Sequence, residues 1–434
     1  MTQTDTEIFG TKTQILIRNI RLDGKPAEIY LDGTGNIASV GEKIKDHDAE
    51  FIIDGNGATA LPGMVNMHAH SPMSLLRGYS DDMPLFEWLS TKIWPTEAHL
   101  TESDVYWGAK LACLEMIRTG TTTFNDMYFM MNNVADAVDE AGIRACLSYC
   151  MIDGGDHEKF EKECSVMEKT VATLKARANP RIIPGVSPHA VYTVSEEGLR
   201  WCAEFSEREN IPLHIHVDET DENPDCIKAH GMRVAQWLDH CGVLSNRCIA
   251  AHCCWLNADD IALFADRGVT VVHNPVSNMK LSIGRALPYP ELKAAGVNVA
   301  LGTDGASSNN DLDMFGEMKT AAILQKFSWN DPTIMPAGEA LTIASRNGAK
   351  ALGINAGVIA PGFLADIILV GKTVTTTPAF NTSSNAVYAT SGLAVDTTIC
   401  DGVVLMHEGV IPEADEILRR SEEVAFDLVR RATA

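Results

Sequence analysis

The stretch "LPGMVNMHAHSP", residues 61–72, decides how the rest of this chain is interpreted. An apolar run carries two histidines two positions apart and then passes into a polar, loop-like segment. Alternate side chains of a β-strand share a face, so His68 and His70 point the same way and Ala69 points opposite. Two adjacent imidazoles at the end of a buried strand suit a metal ion. A pair of hydrogen-bonded strand histidines fits this motif equally well, so the remaining ligands must come from elsewhere.

Length and charge limit the classes of protein to consider. The 434 residues are enough for a domain of about 250 residues and a smaller one. A hydrophobic fraction of 45% with 21% charged residues is typical of a soluble globular protein. The net charge of −23 argues against nucleic acid or an anionic membrane as a partner. A small neutral or cationic substrate agrees better with that charge.

Targeting signals and cysteine usage point to a cytoplasmic protein. The N-terminal "MTQTDTEIFGTKTQ" lacks the basic and apolar regions of a signal peptide. No apolar run approaches the roughly 18 residues of a membrane span. Eleven cysteines without a C-x-x-C pair are typical of reduced thiols that fill the core.

From residue 61 onward, apolar strands alternate with amphipathic helices. Eight strand candidates begin near residues 63, 121, 143, 181, 211, 247, 269 and 297. Helix candidates between them cover residues 102–120, 134–142, 196–210, 231–242 and 258–268, each closing near a Gly or Asn. This alternation predicts the α/β class and a (β/α)₈ TIM barrel over residues 61–359.

The two chain ends follow a different pattern. Residues 13–60 contain short strands separated by Asp-Gly and Thr-Gly turns, and strand patterns return over 362–371, 387–402 and 403–411. We therefore predict one small, β-sandwich-like domain from residues 1–60 and 360–412. Residues 372–385 are interpreted as a surface loop, and 413–434 as a C-terminal helix.

The polar residues at the strand ends predict a metal site. Functional groups of such barrels lie at the C-terminal ends of the strands. The candidates are His68 and His70 at strand one, His189 at strand four, His214, His216, Asp218 and Glu219 at strand five, His252 at strand six, His273 at strand seven and Asp304 at strand eight. One such residue is an ordinary strand-end group, but candidates at six strand ends on one face of the barrel indicate a metal site.

The chemistry of this set is hydrolytic. Three histidines and an aspartate suit Zn²⁺ or Fe²⁺ and leave a position for a water whose pKa falls towards about 7. Glu219, three residues after His216, is placed to act as a general acid and base. His252 and Asp304 are candidates to take and hold the protons of the water. These groups suit addition of hydroxide to an electrophilic carbon, followed by loss of a leaving group.

Several motifs resemble the amidohydrolase superfamily, in particular its methylthioadenosine/S-adenosylhomocysteine deaminases and 5′-deoxyadenosine deaminases. These motifs are "PGMVNMHAHSPMSLLRG", "DMPLFEWL", "IWPTEAHLT", "PHAVYTVS", "IHVDET", "AAHC", "HNPVSNMKL" and "LGTDGASSNN". The resemblance implies a (β/α)₈ enzyme that deaminates a nucleoside, and barrels of this type commonly form homo-oligomers.

The resemblance also assigns roles to individual residues. His68, His70, His216 and Asp304 match the metal ligands. Glu219 matches the residue that protonates the purine ring, and His252 matches the one that assists the attacking water. Glu97 matches the carboxylate that grips the ribose hydroxyls, His189 matches a second substrate contact, and Trp88 matches the pocket wall. His214 and His273 have no role in the pattern, and we interpret His214 as structural.

Two departures from the family narrow the expected activity. Binuclear members use a modified lysine at the end of strand four, and "IIPGVSPHAVY" has none, so one metal ion is expected. Members that act on S-adenosylhomocysteine hold its carboxylate with two arginines, whose places here are taken by Tyr149 and residues 153–156. We therefore expect 5′-deoxyadenosine as the first substrate, followed by methylthioadenosine, adenosine and S-adenosylhomocysteine.

Two alternatives stay open at this point. A triazine or guanine aminohydrolase or chlorohydrolase has the same fold, but Glu97 argues against it because those substrates lack a ribose. A non-catalytic scaffold of this fold is expected to have lost ligands, and here every ligand position is filled.

Overall fold

The chain begins with five short strands, as the turn signals predict. They are β1 (Gln14–Leu22), β2 (Lys25–Asp32), β3 (Ile37–Gly41), β4 (Phe51–Asp54) and β5 (Thr59–Pro62). β1 and β2 form an antiparallel hairpin whose turn residues, Asp23 and Gly24, have φ values of 51° and 76°. An Asp-Gly pair favours that left-handed turn. The computed structural model describes residues 8–44 and 49–434.

Eight parallel strands follow and form the expected TIM barrel. They are β6 (Met64–Ala69), β7 (Thr121–Tyr128), β8 (Arg144–Met151), β9 (Ile182–Pro188), β10 (Leu213–Val217), β11 (Cys248–His252), β12 (Thr270–His273) and β13 (Asn298–Leu301). Each strand is hydrogen-bonded to the next in chain order. The barrel closes after β13, where the Asp304 N–H donates to the carbonyl of His68 over 2.8 Å. Closure therefore brings the last strand-end residue beside the first.

Helices connect the strands and end the chain. They are α1 (Leu85–Trp88), α2 (Trp94–Glu97), α3 (Glu102–Arg118), α4 (Met131–Ala141), α5 (His157–Ala176), α6 (Glu196–Glu209), α7 (Asn223–His230), α8 (Val234–His240), α9 (Ala258–Arg267), α10 (Pro275–Lys280), α11 (Tyr289–Ala294), α12 (Met314–Ser328), α13 (Ala337–Ile343), α14 (Arg346–Ala351), α15 (Thr382–Tyr388) and α16 (Ala414–Thr433). A π-helical turn, Leu89–Ile93, joins α1 to α2, and 3₁₀ turns cover Ser71–Leu76 and Gly392–Ala394.

The predicted helix ends are confirmed at several positions. α3 begins at a capping box on Thr101. α4, α6 and α9 end at Gly142, Asn210 and Gly268, all with positive φ. The long helices α5 and α12 lie outside the predicted set. Within the described ranges, no helix is long and apolar enough to cross a membrane.

The two chain ends meet in one separate sheet. Its later strands are β14 (Ile367–Val370), β15 (Val395–Cys400) and β16 (Val403–Met406), in the order β16-β15-β14-β5-β1-β2-β3, with β4 on β1. The sheet has an aliphatic core of its own, which includes Ile17, Leu31, Ile367 and Ile399. Residues 387–402 were expected as strand, but the first of them belong to α15. The exact limits of the two domains stay a prediction.

A buried ion pair joins the small sheet to the barrel. Arg144 of β8 and Asp366, next to β14, form a salt bridge in which the side chains are 2% and 1% exposed. Arg144 also donates to Thr123 Oγ1 over 3.1 Å, and Asp366 Oδ1 accepts the Asp401 N–H over 2.7 Å. Two charges removed from water are tolerated here because each has further hydrogen bonds.

We predict that Arg144→Ala destabilises the protein strongly, because Asp366 would be left as a buried charge without its partner. The expected loss is about 3 to 5 kcal/mol in the free energy of unfolding, measured by chemical denaturation. Arg419→Ala is the control, since Arg419 forms only exposed ion pairs within α16 and should change stability by less than about 0.5 kcal/mol. Equal small effects of the two substitutions would contradict the prediction.

Candidate active site

A pocket with about 670 Å³ of empty volume opens at the C-terminal end of the barrel. Eight of the predicted site residues line it, namely Trp88, Glu97, His70, His189, His216, Glu219, His252 and Asp304. Apolar side chains such as Leu85, Ile93 and Phe129 form much of the remaining wall. No lysine or arginine lines the pocket in the part of the chain that the structure describes. Tertiary structure therefore brings the strand-end residues of distant segments into one cavity.

The four proposed metal ligands converge at the base of the pocket. Asp304 Oδ1 lies 3.4 Å from His68 Nε2 and 3.3 Å from His70 Nε2. His216 Nε2 is 3.3 Å from His70 Nε2. His68, His70 and Asp304 thus form one group with the spacing of metal ligands, and His216 adjoins it through His70. This donor set suits Zn²⁺ or Fe²⁺.

Hydrogen bonds behind the histidines favour the tautomers that a metal requires. His70 Nδ1 donates to the carbonyl of Met127 over 2.8 Å, and His216 Nδ1 donates to that of His189 over 2.9 Å. Each Nε2 then carries a lone pair. His68 Nδ1 contacts His214 Nε2 at 2.9 Å, while His68 Nε2 is buried without a hydrogen-bond partner among the described residues. The residues therefore fit a bound divalent ion.

Burial and charge set the protonation of these groups. Burial lowers the pKa of His68 to about 4 and holds the pKa of His216 well below its usual value, so both imidazoles are neutral. Burial also lowers the pKa of His70, but the hydrogen bond and charge of Asp304 outweigh it and raise the pKa to about 9, so a divalent ion would displace a proton from this ring on binding. Burial opposes ionisation of Asp304, yet its imidazole partners keep its pKa well below the usual range. Asp304 is accordingly an ionised ligand candidate.

Asp304 is held in place from the protein side. Its Oδ2 accepts the Ser277 hydroxyl over 2.7 Å, and its Oδ1 accepts the Gly305 N–H over the same distance. The residue has a φ of 65°, a backbone region that non-glycine residues rarely adopt. Strain of this kind persists only where surrounding contacts enforce it, and it is common at functional sites.

Glu219 and His252 lie together beside the proposed ligands. Glu219 Oε1 is 4.0 Å from His252 Nε2. Burial raises the pKa of Glu219 above its usual value, which favours the protonated acid. His252 Nδ1 is 2.9 Å from Asn278 Oδ1, and its Nε2 has no hydrogen-bond partner in the described structure. The pair thus combines a carboxyl group that can donate a proton with an imidazole nitrogen that can accept one.

The three predicted substrate contacts are separated along the pocket wall. Glu97 of α2 accepts the Tyr128 hydroxyl over 2.6 Å, and burial raises the pKa of Glu97 to about 7. His189 Nδ1 contacts Thr193 Oγ1 at 2.8 Å. The Trp88 indole donates to the carbonyl of Ser80 over 2.9 Å, which fixes the ring in the wall.

The structure also shows functional contacts that sequence reasoning missed. Ser277 and Asn278 hold Asp304 and His252, and both lie on α10, inside the "HNPVSN" segment. His214, interpreted as structural, contacts a proposed ligand, and the H-x-H pattern that puts it on the face of His216 was the available signal. His273 is fully buried, and neither ring nitrogen has a partner among the described residues.

Residues 59–405 match the Amidohydrolase family. The chain belongs to that family. A 5′-deoxyadenosine deaminase from Methanoregula boonei is 56% identical over 99% of both chains. A 5-methylthioadenosine/S-adenosylhomocysteine deaminase from Archaeoglobus fulgidus is 45% identical over 92% of this chain and 96% of the relative.

Solved structures of the family agree with the fold. An adenosine deaminase from Xanthomonas campestris with bound zinc superimposes with a TM-score of 0.89 at 32% identity, covering 97% of this chain and 99% of the other. An atrazine chlorohydrolase from Arthrobacter aurescens complexed with zinc has a TM-score of 0.86 at 22% identity, covering 95% and 100%. At that lower identity the likeness concerns the fold alone.

We predict one tightly bound divalent ion per chain, because β9 ends without a lysine that would bridge a second. His216→Ala should lose the ion, since it removes one of four donors, and elemental analysis of purified protein measures this. His157→Ala is the control, because His157 is exposed and lies outside the pocket. Two tightly bound ions per chain, or full metal content in His216→Ala, would contradict the assignment.

Proposed function

We propose that this amidohydrolase deaminates 5′-modified adenosines at C6, releasing ammonia and the inosine analogue, with 5′-deoxyadenosine as the preferred substrate. The observation that carries the proposal is one pocket in which Glu219 and His252 adjoin the candidate metal ligands while Glu97 lies on the wall. Adenosine-analogue deamination is also the activity in the names of the full-length relatives. Methylthioadenosine, adenosine and S-adenosylhomocysteine follow in the expected order.

His68, His70, His216 and Asp304 are the residues proposed to hold one divalent ion. Zn²⁺ is our first choice because the donor set suits it and two of the structural neighbours contain zinc, and Fe²⁺ is the alternative. The chemistry that such an ion supplies is a water of lowered pKa, near 7, and polarisation of the reacting centre. The side chains of the pocket are proposed to do the rest, which is to bind the substrate and transfer the protons.

Glu219 and His252 are proposed to move the protons. Burial raises the pKa of Glu219 and so favours its protonated form, in which the carboxyl group can donate to the purine ring nitrogen beside C6 and make that carbon electrophilic. The free Nε2 of His252, 4.0 Å from Glu219, can take a proton from the attacking water. Asp304 accepts the second water proton in this scheme. One of these two protons then goes to the exocyclic nitrogen, which leaves as ammonia, and the other restores the proton of Glu219.

Glu97, His189 and Trp88 are proposed to bind the nucleoside. One oxygen of Glu97 already accepts from Tyr128, and the carboxyl group retains further acceptor capacity for the ribose hydroxyls. His189 lies against His216, with ring centroids 4.8 Å apart, so it faces the purine end of the pocket. Trp88, fixed by its bond to Ser80, supplies an apolar surface for the base.

We predict that Glu219→Gln keeps the metal but loses at least about a hundredfold in kcat, since general acid and base groups contribute on the order of 10² to 10⁴. Steady-state kinetics with 5′-deoxyadenosine and elemental analysis measure the two effects separately. Glu207→Gln, on the exposed face of α6, is the matched control and should retain full activity. Near-normal turnover in Glu219→Gln would remove this residue from the mechanism.

We predict that kcat/KM for 5′-deoxyadenosine exceeds that for S-adenosylhomocysteine at least about tenfold, with methylthioadenosine between them. A missing charge-assisted contact is worth about 1.5 to 3 kcal/mol, roughly one to two decades. Two candidate cations are engaged elsewhere, because Arg77 pairs with Glu115 and Arg144 pairs with Asp366. Ammonia release from a panel of adenosine nucleosides measures the order. Equal or faster turnover of S-adenosylhomocysteine would contradict it.

The same panel should include a triazine and guanine, which test the rival functions. Glu97, which accepts a hydrogen bond from Tyr128 and has acceptor capacity left, favours a substrate with hydroxyl groups. A triazine or guanine has no ribose to supply them. Turnover of these rings without turnover of any nucleoside would favour the rival hydrolase. No turnover of any compound by metal-loaded protein would favour the non-catalytic scaffold.

The location and assembly of the protein are further proposals. We infer a cytoplasmic enzyme from the free cysteines, all eleven of which are unpaired and mostly buried. We also infer a homo-oligomer, which agrees with exposed apolar side chains such as Phe327, Leu393 and Phe426. Light scattering of the purified chain distinguishes an oligomer from a monomer.

A further inference from the structure

One wall of the pocket runs from Glu97 towards the end of β8. Tyr128, which binds Glu97, is followed by Phe129, whose ring centroid is 5.2 Å from that of Tyr128. Phe129 in turn lies 6.4 Å, centroid to centroid, from Tyr149 of β8. Phe129, Cys150 and Ile152 line the pocket along this wall. The wall is therefore aromatic and apolar on the side that faces the cavity.

A carboxylate lies directly behind this wall. Glu163 of α5 accepts two hydrogen bonds at its Oε2, from the Tyr149 hydroxyl over 3.1 Å and from the Ile152 N–H over 3.2 Å. Its side chain is partly buried, and among the described residues no lysine or arginine forms a salt bridge with it. Burial raises the pKa of Glu163, while the two donated hydrogen bonds favour its ionised form. The charge of Lys159, one turn earlier on α5, also favours the ionised form of Glu163, although Lys159 forms no salt bridge with it in the described structure.

We propose that Glu163 is a specificity-determining residue whose negative charge makes the 5′ end of the pocket reject anionic 5′ substituents and accept neutral or cationic ones. This inference rests on the proposed function. In this proposal the nucleoside binds with C6 at the histidines, the ribose hydroxyls at Glu97 and the 5′ substituent towards Phe129 and Ile152, which line the same pocket. Glu163 contacts Ile152, which lines this end of the pocket, and does not contact the substrate itself.

A charge behind the wall acts without contact, because protein interior screens charges far less than water does. Phe129, Cys150 and Ile152 form an apolar layer on the pocket side of Glu163, and no lysine or arginine lines the pocket in the described chain. An anionic 5′ group must also leave water to enter this apolar end, which costs free energy. The negative charge of Glu163 lowers the desolvation cost of an ammonium group at the same place.

The test compares three nucleosides that differ in 5′ charge: adenosine 5′-carboxylic acid, 5′-deoxyadenosine and 5′-amino-5′-deoxyadenosine. In the holoenzyme, Glu163→Gln should raise kcat/KM for the carboxylate at least threefold and lower it at least threefold for the amine. The neutral nucleoside should change less than twofold. Glu163→Asp, which keeps the charge, should preserve the wild-type ratios, and Glu161→Gln, on the exposed face of α5, is the matched control.

The opposite signs for the two charged nucleosides separate an electrostatic role from a structural one, because a damaged wall would affect all three in the same direction. Unchanged ratios in an active Glu163→Gln enzyme would overturn the inference and leave the proposed function standing. Should that variant not fold, the wild-type enzyme still decides, since equal or faster turnover of the carboxylate than of the amine overturns the inference. Failure of wild-type enzyme to deaminate any of the three overturns the proposed function and this inference together.

Discussion

The buried carboxylate of Asp304 is the constraint on which the rest of the candidate site depends. An ionised carboxylate inside a protein is unstable unless charge or hydrogen bonds replace its lost water. Here two imidazoles, a serine hydroxyl and a backbone N–H surround it. These groups come from the end of β6, from α10 and from the segment after β13, and they meet only when the barrel is closed. Folding, ligand placement and the electrostatics of the pocket are therefore coupled through one side chain.

A second set of hydrogen bonds fixes the orientation of the histidine rings. Backbone carbonyls of Met127 and His189 fix two imidazoles, and α10 supplies Ser277 and Asn278 to the opposite side of the site. Contacts of this kind set which ring nitrogen carries the proton, and losing one typically weakens metal binding about 10- to 100-fold. The "HNPVSN" segment thus orients Asp304 and His252, although none of its own side chains is a proposed ligand.

The electrostatic character of the pocket is dominated by acidic groups. Its acidic groups, Glu97, Glu219 and Asp304, meet no lysine or arginine among the described lining residues. Glu163 adds a further negative charge behind the wall, and the chain as a whole carries −23. A neutral 5′ group avoids the desolvation cost that such a pocket imposes on an anion.

The sequence by itself determined the order of strands, the barrel and the identity of the strand-end histidines, because apolar runs and their polar ends are local patterns. It did not reveal α5, whose pattern is dominated by charged residues, or α12, which is apolar on more than one face. Only tertiary structure placed Ser277 on Asp304, Glu163 on Tyr149 and Arg144 on Asp366, a pair 222 residues apart. Which groups form a hydrogen bond depends on their positions in space. The local sequence pattern of a strand or helix does not define those positions, because they are set only when the barrel closes and the chain ends pack against the barrel.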